Sequence, residues 1–163
     1  MSIEYNKALV RRYVEEIVNK GNLDLIDEIF VADYADAALW PKAAYDGDAV
    51  GITRLKDGLI MLHKAFPDFH YTIEAMCAEG DTVMVYGTVR GTHTGGWFFD
   101  VAPTGKQVWW TDFHVHRLAH GKIVEDRWLW DRLGAWQQLG LVPETHALFA
   151  NASSQLPVIS SQN

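Results

Sequence analysis

The apolar residues repeat at helical spacing as far as Ala65 and in alternation from Tyr71 onward, and this one change of period confines the chain to few architectures. Leu9, Val10, Tyr13, Val14 and Ile17 predict an amphipathic helix over 3–20, stopped by Gly21. Asn22 is placed to cap a short second helix through Leu23, Leu25, Ile26, Ile29 and Phe30. The stretch from Val31 to Tyr45 reads as irregular with one short strand. A third helix is expected from Gly51 to Ala65, ended by Pro67.

Beyond that point Tyr71, Ile73 and Ala75 alternate with polar residues, and Glu79-Gly80-Asp81 leads to a second alternating run, Val83 to Val89. After a glycine-rich loop from Thr92 to Gly105, a second hairpin is expected from Gln107 to Leu118 and Ile123 to Trp130 across His120-Gly121, with Asp131 capping a closing helix. Helices followed by long antiparallel strands imply an α+β fold, a cone of curled antiparallel sheet (an α+β barrel) packed with three N-terminal helices and closed by a C-terminal one. The chain of 163 residues reads as one domain over 1–143 and a Ser- and Gln-containing tail over 144–163.

Six of the seven tryptophans (97, 109, 110, 128, 130 and 136) fall in the second half. Several adjoin His and Asp rather than aliphatics, which favours an aromatic wall around a cavity over a thick aromatic core. A net charge of −7 argues against a nucleic-acid partner, since phosphate backbones are bound by clustered Lys and Arg. The lone Cys77 and the charged, periodic N-terminus are compatible with a cytoplasmic protein, and no apolar run approaches the ~20 residues that cross a bilayer.

The last hairpin carries the chemistry. Gly121 suits a bulged turn in which Leu118 opposes Lys122, His114 opposes Asp126, Asp112 opposes Trp128 and His116 opposes Val124. Alternation then gives one face Trp110, Asp112, His114, His116, Asp126, Trp128 and Trp130, and the other Trp109, Thr111, Phe113, Val115, Ile123 and Leu129 with Arg117, Glu125 and Arg127. A plain two-residue turn would instead put Arg127 and Glu125 beside the histidines. In the favoured register His114 is a candidate base, Asp126 its orienting carboxylate, and Asp112 or Tyr86 a proton donor to a developing oxyanion. Trp110, His116, Trp128, Trp130, Tyr86 and Trp97 are the candidate ligand contacts. His114 and His116 with a carboxylate could be offered to a metal, but an acid–base site needs fewer coincidences, and none is expected. The apolar residues on the second face need a cover, for which a second copy of the chain is the economical solution.

The chain resembles the SnoaL-like polyketide cyclase family of the nuclear transport factor 2-like superfamily. The resemblance rests on the N-terminal helix pair, AFPDF (65–69), GTHTG (91–95), PTGK (103–106) and HGKIVEDRWLWDRLGAWQQLG (120–140). It implies an α+β barrel, usually dimeric, that needs no metal or organic cofactor. Cyclase members close a ring by an intramolecular aldol reaction, with a pocket His and a pocket Asp moving protons around an enolate. The His matches His114. The Asp falls at Trp128, which cannot transfer a proton, and many relatives carry His where this chain has Asp126. The acidic role has then passed to Asp126 or Asp112, or the aldol chemistry is absent. The family also includes hydroxylases and isomerases, so two expectations stand. One is an acid–base enzyme acting on a small, largely apolar, carbonyl-bearing molecule by aldol, isomerase or hydration chemistry. The other is a non-catalytic small-molecule-binding domain.

Overall fold

The computed structural model describes residues 2–38 and 51–144. Helix α1 (Ile3–Arg12) opens on Ser2, whose hydroxyl accepts the Tyr5 amide at 3.2 Å. It continues not as α-helix to Lys20 but as a π-helical segment, Tyr13–Val18. At its end the Asn19 amide donates to the Val14 carbonyl, five residues back. The Asn19 side chain pairs with both backbone groups of Tyr71, docking the end of the helix on the sheet. The second helix is shorter than its pattern implies, a 3₁₀ turn at Leu23–Leu25 running into α2 (Ile26–Ile29), and Asn22 makes no capping bond. Helix α3 (Gly51–Ala65) has the expected limits.

Five strands form one sheet, β1 (Phe30–Ala38), β2 (His70–Glu79), β3 (Thr82–Thr92), β4 (Gln107–Ala119) and β5 (Lys122–Trp130), in the order β1-β5-β4-β3-β2. Strand β1 corrects two expectations. It is nine residues long rather than one short strand in an irregular stretch, and it runs parallel to β5, so the sheet is mixed. A register shift between Phe30 and Ala35 breaks its alternation, which is why the sequence hides it. The remainder of the irregular stretch, from residue 39, and the tail from residue 145 lie outside the described residues.

The core lies between the helices and the concave face of the sheet, where Leu9, Val10, Ile17, Ile26 and Ile29 meet Val83, Val85, Val89, Trp110, Leu118 and Ile123. Helix α4 (Arg132–Leu139) closes the structure. Asp131 caps it by accepting the Gly134 amide at 2.8 Å, and Gly140, at φ 85°, ends it in the left-handed conformation. The Gln138 amide bonds both backbone groups of Trp109 where β4 outruns β5, taking the place of a strand neighbour.

The turn of the last hairpin differs from the expected one. His120 and Gly121 are both at positive φ (52° and 80°), the pattern of a tight two-residue type I′ turn, and Ala119 pairs directly with Lys122. Such a turn alone would flip β5. The chain corrects this by bulging Val124, which has no partner between the pairs Leu118–Ile123 and Arg117–Glu125. From Glu125 onward the faces are those of the bulged-turn register, but each pair is displaced by two residues. His114 opposes Trp128, His116 opposes Asp126, and Asp112 opposes Trp130. Ile123 precedes the bulge and is fully buried on the inner face, not on the outer one.

Candidate functional site

A cavity of about 450 Å³ lies between the concave face of the sheet, helix α3 and the end of the first helix. Asp112, His114, His116, Asp126, Trp110, Trp128 and Trp130 all line it. Two expected contacts do not. Tyr86 follows the inward Val85 and therefore points to the outer face, where its ring packs on Phe113 with centroids 4.9 Å apart. Trp97 sits in the loop after β3 and is 65% exposed.

Among the cavity-lining residues outside the expected set are Tyr71, Phe98 and Phe99. Phe98 and Phe99 come from a tight turn in the β3–β4 loop. The Phe98 ring stacks on Trp110, and the Phe99 ring on Trp130 at 6.0 Å. Tyr71 comes from β2, and its ring crosses β3 over Gly87 to meet His114 edge to face. A Cβ at Gly87 would overlap that ring, so a glycine in the middle of a strand was the signal available in the sequence.

The polar centre is a row of alternating carboxylates and imidazoles. His114 Nδ1 donates to Asp126 Oδ2 at 2.8 Å. Its Nε2 lies 3.3 Å from Asp112 Oδ1, so both ring nitrogens face a carboxylate. The second Asp126 oxygen lies 3.2 Å from His116 Nδ1, and the two imidazoles stack with centroids 5.3 Å apart. On the other side the Trp128 indole lies nearly parallel to His114 at 6.5 Å.

Burial and pairing set the protonation states. Burial alone would lower the His114 pKa, but Asp126 and Asp112 outweigh it and hold the imidazole well above its ordinary value. A carboxylate at each ring nitrogen thus favours the doubly protonated imidazolium of His114. Burial dominates at His116 and pushes it down to about 4, so it is neutral. Burial would raise Asp126, yet the neighbouring imidazoles and the bond from His114 hold it below the carboxylate range. With His116 neutral, the lasting counter-charge is His114. Asp112 is raised, by burial first, against the pull of His114.

His114, His116 and Asp126 bring three donor atoms within 4.8 Å of one another. An ion there would have to displace the proton that His114 shares with Asp126. We expect the protein to purify without stoichiometric metal. Elemental analysis that finds about one zinc or iron per chain would replace an acid–base site with a metal centre.

A family model for SnoaL-like polyketide cyclases matches residues 8–139. Among solved structures, the chain is similar to AclR from Streptomyces galilaeus, described as a candidate hydroxylase. Identity is 27%, with 94% of this chain and 97% of that one covered and a TM-score of 0.77. A candidate polyketide cyclase from Bacillus cereus is also 27% identical, over 85% of this chain and 82% of its own, with a TM-score of 0.70. IdmH from Streptomyces antibioticus, another candidate polyketide cyclase, is 27% identical over 83% and 98%, with a TM-score of 0.68. None of the curated proteins matches the chain.

Proposed function

The chain belongs to the SnoaL-like polyketide cyclase family, and from that premise we propose that it is an acid–base enzyme, working without metal or organic cofactor on a small, largely apolar molecule that carries a carbonyl group. The observation that carries this reading is the row Asp112–His114–Asp126 on the wall of an otherwise apolar cavity. Burying three ionisable groups side by side is costly for a merely structural purpose. In an enolisation, a proton leaves the carbon beside the carbonyl for a carboxylate of the row. The electron pair moves into the enolate, and the positive charge of the nearby His114 imidazolium stabilises the developing oxyanion. Aldol closure, isomerisation beside a carbonyl and conjugate hydration of an unsaturated carbonyl all begin or end in such a step. The aromatic wall of Trp110, Trp130, Phe98 and Phe99 suits a substrate that closes into a flat ring.

One observation favours a second reading, a domain that binds without catalysing. Trp128 stands where cyclase members carry an acid, directly opposite His114. Asp126 is two residues away on the same face of the same strand and reaches the same imidazole. The acid has thus been displaced along β5 rather than lost. The two readings separate in heavy water with a simple enolisable ketone such as 2-tetralone. An enzyme should accelerate exchange of the acidic C–H above the buffer rate, as followed by proton NMR. Ketone that binds and exchanges no faster than in buffer would leave only the binding domain.

We further propose that the outer face of the sheet binds a second copy of the chain. Trp109 (56% exposed), Phe113 (50%), Met84 and Leu129 form an apolar patch there, crossed by the ion pairs of Glu125 with Arg117 and Arg127. Two such faces related by a two-fold axis would each cover the other's patch. Sedimentation at micromolar concentration should give a dimer, and Phe113→Arg a monomer. A wild-type monomer would remove the proposal.

A further inference from the structure

Two buried polar atoms in the cavity wall lack an aligned hydrogen bond at the same place. One is the hydroxyl of Tyr71, which has no partner among the described residues, and the other is Oδ1 of Asp112, whose contact with His114 Nε2 at 3.3 Å is an ion pair without hydrogen-bond alignment. An unpaired buried polar group is expensive, and each one calls for an explanation. The sheet brings the two together. A Cβ on Gly87 would meet the hydroxyl end of the Tyr71 ring, so the phenol fills the space of the side chain that Gly87 lacks. Gly87 pairs directly with Asp112 across β3 and β4. Side chains of directly opposed residues start about 5 Å apart. The Tyr71 hydroxyl therefore stands where a cross-strand neighbour of Asp112 would be, within one side-chain rotation of its carboxylate. Glycine in mid-strand also weakens the strand. The fold accepts two costs at one point, and both vanish as costs if the phenol serves the acid.

We propose that Tyr71 is the positioning residue of Asp112: its hydroxyl, admitted over Gly87, donates to the Asp112 carboxylate and keeps it ionised as the proton acceptor of the cavity. This rests on the acid–base reading and assigns its base. Because a carboxylate faces each ring nitrogen of His114, neither nitrogen offers a free lone pair to the cavity, so the imidazole serves as the acid and the base is a carboxylate. Asp126 is committed to His114. Asp112 is the remaining one. The groups that face it are His114 on its own strand, Asp126 from β5 and Tyr71 from β2, with Arg54 and Asp57 of α3 elsewhere on the cavity wall. Among these Tyr71 is the neutral donor. Burial, and then Asp112 and Asp126, push its own ionisation up, so it keeps its proton while the carboxylates are charged. Tyr86, expected to donate a proton to the oxyanion, points away from the cavity, and the inward-facing tyrosine is Tyr71 on the neighbouring strand.

The test needs no substrate, so its outcome is independent of whether the ketone assay succeeds. The carboxyl carbon of Asp112 is followed by ¹³C NMR as pH is varied, in wild type and in Tyr71→Phe. Loss of a donor to the ionised form should raise the Asp112 midpoint by about one pH unit or more, a tenfold change in proton affinity. The midpoint of Asp68, bonded to Thr92 and not among the cavity-lining residues, should stay fixed. Conversely, Asp112→Asn should move the Tyr71 Cζ resonance at constant pH. An Asp112 midpoint that does not move, or one that moves together with Asp68, would overturn the proposal, as would a Tyr71 resonance indifferent to Asp112→Asn.

Discussion

Replacing His114 with alanine should slow ketone C–H exchange by roughly 100-fold or more, the usual contribution of a positioned acid–base group. His114 is the one residue in the row that touches both carboxylates, so its loss disconnects Asp112 from Asp126. The substitution also leaves Asp126 buried without its charged partner, which destabilises the fold. His114→Gln separates the two effects. It retains a donor toward Asp126 but cannot cycle a proton, so a catalytic role predicts a folded protein with the same rate loss. Asp126→Asn should cost less, since it keeps the shape and removes the charge that orients His114. If His114→Gln exchanges C–H as fast as wild type, the imidazole is structural and the enzyme reading fails with it.

The faces of the last hairpin were legible in the sequence because alternation is insensitive to a shift of two. The type I′ turn moves β5 by one residue and the bulge at Val124 moves it by one more, so Asp126, Trp128 and Trp130 return to the face of His114. The individual pairs were not legible, because no residue in Lys122-Ile123-Val124 marks the bulge. Ile123, caught between turn and bulge, is the residue whose face came out wrong. The long alternating strands and the third helix were readable for the same reason, since each has one wet side and one dry one. Strand β1 was not, because its register breaks between Phe30 and Ala35. In the cavity, the residues on β4 and β5 follow from one strand pair. Tyr71, Phe98 and Phe99 arrive from other parts of the chain, through a glycine on the neighbouring strand β3 and a turn with Phe99 and Asp100 at positive φ. Such contacts depend on tertiary packing and leave no periodic trace.

Acid should destabilise this protein at pH values above the ordinary carboxylate range, and His116 is the reason. The ring is 1% exposed and neutral in the folded state, with its pKa pushed down to about 4 by burial. In the unfolded chain it takes up a proton near its ordinary value of about 6.5. Between these two values the unfolded state binds more protons, so stability must fall as pH falls through that window. A displacement from about 6.5 to about 4 corresponds to roughly 3 kcal/mol, a large part of the stability of a domain this size. The other members of the row act in different directions. His114, raised, contributes stability that is fully present below about 6.5 and is lost only as pH rises through its folded value. Asp126, lowered, adds a further loss only as pH drops below the carboxylate range. Asp112, raised, is relieved on protonation and partly offsets His116. The contribution of His116 is isolated by difference. Urea unfolding of wild type and His116→Gln across pH 7 to 4 should give curves that converge toward acid, with wild type losing about 3 kcal/mol more than the variant. The substitution removes the only group in the row that must charge in that window. Parallel curves would mean that His116 already holds its proton in the folded state, and the protonation pattern assigned to the whole row would have to be redrawn around a charged His116–Asp126 pair.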